Sequence, residues 1–108
     1  MRTSPTFREG VSVAERLKKA IRKRKDIRLH HVFLFGSVAR RKTHEWSDIN
    51  VAVVCDPFER SKVKEAMTFY ALAPERDVRM SVVVLHPEEM ENTYSTIVQE
   101  IKKDGVEV

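Results

Sequence analysis

Two apolar runs of strand length occupy the middle of this 108-residue sequence, and a Gly-Ser pair directly follows the first. The first run, from His31 to Phe35, is rich in residues that favour strands and ends at Gly36. The second, from Ile49 to Val54, is closed by Asp56-Pro57. Short apolar runs bounded by turn residues are typical of buried strands. The sequence therefore predicts a core built on a small sheet, with its most informative stretch between residues 33 and 54.

Helical periodicity surrounds these runs. Ser12 followed by Glu15 matches a capping box, which predicts the start of the first helix there. The elements expected in chain order are a helix from Ser12, a strand over His31–Phe35, a short helix over Ser37–Lys42, a strand over Ile49–Val54, a helix through Ala71, a strand over Asp77–Leu85 and a helix from Pro87. This order predicts an α/β (α+β) fold, a small mixed β-sheet with helices packed on it.

Helical spacing also predicts which side chains are buried in the later helices. The positions expected to face the core are Val63, Ala66, Met67, Tyr70 and Ala71 in one helix and Met90, Tyr94, Ile97, Val98 and Ile101 in the last.

Length and composition limit what the chain can be. Its 108 residues suit one domain spanning 1–108. No run approaches the roughly 18 apolar residues of a membrane span, so contact with a membrane is not expected. The single cysteine, Cys55, cannot form an internal disulfide, and we expect it to serve in packing. A cytoplasmic location is the resulting expectation.

The charge is unevenly distributed along the chain. Residues 1–42 carry 13 Lys or Arg and three acidic residues, whereas residues 43–108 carry seven and 13. Such a division is consistent with a basic face that meets an anion, an acidic partner or a neighbouring copy of the chain. An ordinary solvated helix face explains the pattern equally well.

The stretch after the first strand has the character of a phosphate site. Gly36 has no Cβ and lets phosphate approach the backbone closely, while the Ser37 hydroxyl adds a donor. The N-terminus of the expected short helix would face the same anion. Asp48 stands at the entry to the second strand, and side chains 48 and 50 share a face of it. Acids at both positions would hold Mg²⁺ against a triphosphate.

This pattern resembles the signature of the DNA polymerase β-like nucleotidyltransferase superfamily, in which Gly-Ser is followed after ten residues by Asp-x-Asp. The flanking residues Leu34-Phe35-Gly36-Ser37-x-Ala39-Arg40 and Ser47-Asp48-Ile49 resemble its minimal nucleotidyltransferase (MNT-type) branch in particular. The resemblance extends from Val32 to the end of the chain.

The resemblance implies transfer of a nucleoside monophosphate from a nucleoside triphosphate, ATP first, with Mg²⁺. It implies that Gly36 and Ser37 hold the phosphates and that Asp48 is a catalytic metal ligand. Arg40, close to the turn, is a candidate for contact with phosphate, with surface solvation as the alternative.

The sequence departs from the family pattern at three positions. Asn50 occupies the position of the second acid, and Ser81 aligns with the third, which the family carries on the next strand. Neutral oxygens at these positions do not supply the charge that holds two divalent ions. Arg41 stands where relatives often have Gly. Asp77 precedes Ser81 by four residues, roughly 13 Å along a regular strand, which is too far for direct compensation.

Impaired catalysis is therefore expected, with Asp48 binding a metal weakly or acting as a cap. The resemblance further implies a helical partner of the HEPN type in a prokaryotic toxin–antitoxin pair; a homodimer is also possible. A non-catalytic partner-binding module is the alternative function. Nucleic-acid binding through the basic first helix is a third, which lacks the support of a recognised DNA-binding motif. Trp46, in the loop before Asp48, is either a loop anchor or a base-stacking residue.

Overall fold

The computed structural model describes residues 4–45, 47–73 and 79–108. Trp46 and Asp77, both considered above, lie outside the described residues. The helices are α1 (Phe7–Arg22), α2 (Lys62–Leu72) and α3 (Thr96–Asp104), and the strands are β1 (Leu29–Phe35), β2 (Ile49–Cys55), β3 (Met80–Leu85) and β4 (Val106–Glu107). Within the described part of the chain, no helix is both long enough and apolar enough to cross a membrane.

The four strands form one mixed sheet in the order β3-β2-β1-β4. β1 runs antiparallel to β2 and to β4, whereas β2 and β3 are parallel. The short strand β4 adds an edge that the sequence pattern did not indicate. The predicted fold class, a small mixed sheet with helices packed on it, is confirmed.

Side-chain alternation along the strands gives the sheet two apolar faces. One face carries Val51 and Val53 of β2 and packs against α1 and α2. The other face carries Ala52 and Val54 and packs against Val98 and the rest of α3. Each residue of β2 and β3 is thereby assigned to the α1/α2 side or to the α3 side, and this assignment places the candidate site.

Helix α1 begins five residues earlier than predicted. Thr6 is its N-cap, and the Thr6 hydroxyl accepts a hydrogen bond of 3.0 Å from the Glu9 amide. Ser12 and Glu15 lie inside the helix, so the capping-box prediction was wrong in position. The same Ser/Thr-x-x-Glu spacing occurs at Thr6 and Glu9, so the pattern was present twice and the earlier copy is the one used.

The short helix predicted after Gly36 is not formed. Residues 37–41 instead make a single turn, in which the Lys42 amide donates to the Ser37 carbonyl (2.9 Å) and the Arg41 amide to that of Val38 (3.1 Å). These two bonds are the pattern of a Schellman motif, which terminates helices. Here it follows the first turn directly, so no helix develops. Its left-handed position is filled by Arg41, with φ of 58°. Glycine normally occupies that position, which explains why glycine is expected there in relatives.

Arg41 provides a direct test of this turn. The Arg41→Gly variant is expected to be more stable than Arg41→Ala by about 1 kcal/mol, because only glycine adopts the left-handed conformation without strain. Both variants lose the contact between the Arg41 guanidinium and the Phe7 ring, 4.2 Å away, so the difference isolates the backbone effect. Urea denaturation of the two proteins measures it. Equal stability would show that the turn does not constrain Arg41.

The predicted last helix is divided in two. Pro87–Glu91 forms a 3-10 helix, and α3 begins only at Thr96, with the Ser95 hydroxyl as its N-cap. Tyr94 lies between them and is 91% exposed, so its predicted place in the core was wrong. The chain turns at Asn92, whose side chain accepts a hydrogen bond of 3.0 Å from the Tyr94 amide.

Helix α2 is rotated relative to its predicted orientation. Val63, Met67 and Tyr70, expected in the core, are 70%, 64% and 47% exposed. Its fully buried residues are Glu65 and Phe69. Tyr70 nevertheless contacts the sheet, because its hydroxyl accepts a hydrogen bond of 2.9 Å from the amide of Val82 in the edge strand β3.

A buried carboxylate fixes the rotation of α2. Glu65 is 0% exposed, and its two oxygens lie 2.8 Å from the Phe58 amide, which donates to one, and 2.7 Å from His86 Nε2. His86 begins the 3-10 helix, and its own amide donates to Glu89. The network therefore links α2 to the loop after β2 and to the end of β3.

Two neighbouring groups reflect this environment. Burial raises the pKa of the Cys55 thiol to about 12, with Glu65 and Asp56 adding to the effect. The side chain is thus held as a thiol in the core, which agrees with the predicted packing role. Burial acts to raise the pKa of Glu89, but hydrogen bonds from Lys62 and the His86 backbone outweigh it and leave that pKa lowered.

Candidate functional site

The Gly-Ser turn directly follows β1. Gly36 has φ of +81°, a left-handed conformation that L-residues rarely adopt. A Cβ built on Gly36 would lie 2.5 Å from Asn50 Nδ2 and 3.4 Å from Asn50 Cγ. Glycine is therefore required twice at this position, once by the backbone conformation and once by the close approach of the Asn50 side chain.

Asn50 and Ser81 are brought side by side by strand register. In the parallel pairing of β2 with β3, Asn50 is the partner of Ser81, and in the antiparallel pairing with β1 it is the partner of Phe35. Both side chains lie on the α3 side of the sheet, since they share the parity of the β2 and β3 residues packed against α3. The structure thus brings together the two positions where the family resemblance implied acids.

Asp48 lies just before β2 and is exposed. It precedes Asn50 by two residues, which places it near the same end of the sheet as Gly36 and Ser81. Four of the predicted site residues, Gly36, Ser37, Asn50 and Ser81, therefore surround one end of the sheet, and Asp48 adjoins them.

The loop before Asp48 is held in place by two side chains. Ser47 is buried, and its hydroxyl accepts a hydrogen bond of 3.0 Å from the His44 amide. Its own amide donates to the His44 carbonyl at 2.9 Å, and the Arg79 guanidinium donates to the carbonyl of Glu45. Ser47 thereby closes the loop tightly and fixes where the chain enters β2.

The turn is supported from the α1 side by Val38, which is fully buried. A methyl group at Gly10 of α1 would lie 2.6 Å from Val38 Cγ1, so the helix and the turn are in close contact. The position of Ser37, one residue earlier, is consequently set by core packing and not by the surface loop that follows.

The basic residues after the turn have different environments. Arg40 Nη1 forms an ion pair of 2.9 Å with Glu100 of α3, which ties the turn to that helix. Arg41 lies over the Phe7 ring, and Lys42 is exposed. Arg40 was predicted to contact phosphate; in this structure its guanidinium is bound to a carboxylate, and the role in phosphate binding remains a prediction.

The basic helix α1 contacts the turn through its N-terminal end, at Phe7 and Gly10. It packs on the opposite face of the sheet from α3, whereas Asn50 and Ser81 lie on the α3 face. The positive charge in residues 1–42 is therefore spread over the basic helix α1, four basic residues between α1 and β1, and the cluster Arg40–Lys42 beside the turn. The cluster Arg40–Lys42 is the part nearest to the Gly-Ser turn along the chain.

The residues at the site do not fit a pair of divalent cations. Asp48 supplies one carboxylate, and Asn50 and Ser81 supply a neutral amide and a neutral hydroxyl. Mg²⁺ in phosphoryl-transfer sites is usually held by carboxylates together with substrate phosphates. In the described ranges 4–45, 47–73 and 79–108, no group of three or more His, Cys, Asp or Glu side chains is arranged to hold a metal ion.

A glycine turn after one strand, an acid before the next and a mixed sheet with helices on both faces define a nucleotidyltransferase-type domain. The model of the polymerase beta nucleotidyltransferase family matches residues 15–108, and the chain belongs to that family. A crystal structure of a Sulfolobus solfataricus protein, provisionally assigned as a nucleotidyltransferase, has the same fold with a TM-score of 0.61. The two share 20% sequence identity over 94% of this chain and 79% of that one.

The search of curated proteins finds no significant match to this sequence. The family is thus shown by the match over residues 15–108, and the fold by the structural likeness. Assignment to the MNT-type branch stays a prediction from the short motifs around Gly36 and Asp48.

Two structural features of the site were missed by sequence reasoning. The role of Ser47 in closing the loop was not recognised, although a Ser directly before an acid at a strand entry is a common turn signal. The contact between Asn50 and Gly36 depends on the register of β1 with β2, which no local pattern in the sequence reveals.

Proposed function

We propose that this domain binds the phosphate chain of a nucleoside triphosphate, ATP first, at the Gly36-Ser37 turn and that its nucleotidyl transfer is strongly impaired. The observation that carries the binding half is Gly36, whose left-handed conformation and lack of a side chain let the Asn50 amide pack directly against the turn. Membership of the polymerase beta nucleotidyltransferase family supports the choice of a nucleotide as ligand.

The impaired half of the proposal depends on the side chains beside the turn. The family resemblance implies that relatives carry acids at the positions of Asn50 and Ser81 and that these acids complete the metal site. Here the two are adjacent across β2 and β3 and carry no charge. Asp48 is the single acid among the three positions. The site therefore has two fewer negative charges with which to hold a metal ion near a triphosphate.

Calorimetry with ATP and a transfer assay with labelled ATP test both halves. Wild-type protein is expected to bind ATP and to show no transfer near the 1 s⁻¹ or more that is typical of enzymes. Ser37→Ala removes the hydroxyl at the turn and is expected to weaken binding about tenfold. Ser12→Ala, in α1, is the matched control and should bind like the wild type.

Metal-dependent transfer by the wild type at ordinary enzyme rates would contradict the proposal. The Asn50→Asp/Ser81→Asp variant shows whether the missing acids are the cause, because it is expected to gain metal-dependent activity if they are. A wild type that ignores ATP while this variant binds it would mean that the site is vestigial.

A vestigial site would favour the second candidate function, binding of a protein partner. The observation in its favour is the exposed apolar stripe of Val63, Met67 and Tyr70 on α2, a helix that packs on the face of the sheet opposite Asn50 and Ser81. The family resemblance suggests a helical HEPN-type partner, as in a toxin–antitoxin pair, and a homodimer through this stripe is the other arrangement consistent with it.

A further inference from the structure

The side chains beside the Gly-Ser turn are hydrogen-bond donors where a metal site would have acids. We propose that this site binds the polyphosphate of a nucleotide directly and without a divalent cation, with Asn50 Nδ2 and the Ser81 hydroxyl donating to phosphate oxygens. This inference rests on the proposed function, since it concerns how the same site holds its ligand.

The contact between Asn50 and Gly36 is the first step. The amide nitrogen of Asn50 lies 2.5 Å from where a Cβ of Gly36 would stand, so the Asn50 amide itself covers the side of Gly36 where a side chain would be. An Asn amide nitrogen carries two donor hydrogens, whereas both oxygens of an ionised Asp only accept. A phosphate oxygen that approaches Gly36 therefore meets a donor here, and it would meet a repelling carboxylate in a chain with Asp at this position.

Ser81 extends the donor set across the sheet. It is the register partner of Asn50 on the neighbouring parallel strand, and partner residues on adjacent strands are about 4.8 Å apart. The Ser81 side chain is partly exposed and lies on the same face as that of Asn50. Together with the Ser37 hydroxyl, the site offers three neutral side-chain donors around the turn.

The local charge also favours a bare phosphate. Arg40, Arg41 and Lys42 follow the turn directly, and Asp48 is the acid nearest to Asn50 along the chain. Arg40 is neutralised by Glu100, but Lys42 is exposed, and Arg41 keeps its charge over the Phe7 ring. In the proposed mode, Arg41 and Lys42 are the positive side chains nearest to the turn along the chain, and they take the place of a divalent cation in balancing the phosphate charge.

Titration of ATP into the full chain, once with excess EDTA and once with Mg²⁺, tests this mode of binding. The affinity of the wild type in EDTA is expected to equal or exceed that in Mg²⁺. Asn50→Asp exchanges the donor for a carboxylate, and it is expected to lose at least tenfold in affinity in EDTA and to regain binding when Mg²⁺ is added. Ser12→Ala serves again as the control.

Two outcomes separate the two proposals. Binding by the wild type that falls at least tenfold in EDTA would overturn the metal-independent mode while leaving nucleotide binding intact. No binding in either buffer would overturn both. Circular dichroism and thermal unfolding of Asn50→Asp show whether that variant remains folded. Asn50→Ala gives a second measurement, because it removes the donor without adding charge. This variant should lose affinity for ATP in EDTA and should not recover it with Mg²⁺.

Discussion

Replacing Glu65 by alanine is expected to lower the free energy of unfolding by about 3–5 kcal/mol. The carboxylate is fully buried and bonded to the Phe58 amide and to His86 Nε2. Its removal leaves the Phe58 amide without its acceptor, leaves His86 Nε2 without its partner and opens a cavity in the core. Urea denaturation followed by circular dichroism measures the loss.

Two further variants make this result specific. Glu59→Ala removes an exposed carboxylate from the loop before α2 and is expected to change stability by less than about 0.5 kcal/mol. Glu65→Gln keeps one acceptor oxygen and the shape of the side chain, so its loss of stability should lie between those of Glu59→Ala and Glu65→Ala. A loss below about 1 kcal/mol for Glu65→Ala would mean that the network does not hold α2 to the sheet.

Replacing Gly36 by alanine is expected both to destabilise the protein, by about 2 kcal/mol, and to abolish ATP binding. Part of the cost comes from the backbone, because φ of +81° is strained for any residue with a Cβ. The rest comes from contact with Asn50, whose amide nitrogen would lie 2.5 Å from the new methyl group. Relief of that contact pushes Asn50 away from the space where phosphate is proposed to bind.

A double-mutant cycle separates the two costs of Gly36→Ala. Asn50→Ala alone removes the amide, and Asn50 Cβ lies 3.6 Å from the Cβ position of residue 36, an ordinary contact. The combined Gly36→Ala/Asn50→Ala variant should therefore lose less stability than the sum of the single losses. In the combined variant the clash between the two side chains is gone, and of the two costs of Gly36→Ala only the backbone strain remains. Strict additivity would show that Gly36 and Asn50 do not interact. ATP binding should be absent in both variants that carry Gly36→Ala and weakened in Asn50→Ala.

The strands and the site positions were predictable because the signals for them are local. The apolar runs that became β1 and β2 are bounded by Gly36 and by Asp56-Pro57, and the observed strands extend the predicted ones by only a residue or two. The alignment that placed Ser81 at the third acid position agrees with the register, which pairs Ser81 with Asn50. The roles of these residues in binding stay predictions.

The errors occurred where a distant contact overrides a local pattern. Periodicity alone assigns Val63, Met67 and Tyr70 to the core, but in the structure these three are exposed and Glu65 is buried. A buried Glu costs less than usual when its oxygens are satisfied, and the groups that satisfy it, Phe58 and His86, are seven and 21 residues away along the chain. No local pattern contains that information.

The sequence by itself determined that this chain has a strand, a Gly-Ser turn and a second strand entered through Asp48, because those features depend on residues next to one another. It also determined which acids are missing, because the presence of Asn at position 50 and Ser at position 81 is read directly from the sequence. Only the tertiary structure decided that the Asn50 amide lies against Gly36, because that contact follows from the register between β1 and β2. The same is true of the rotation of α2, which a buried hydrogen-bond network sets and helix periodicity does not.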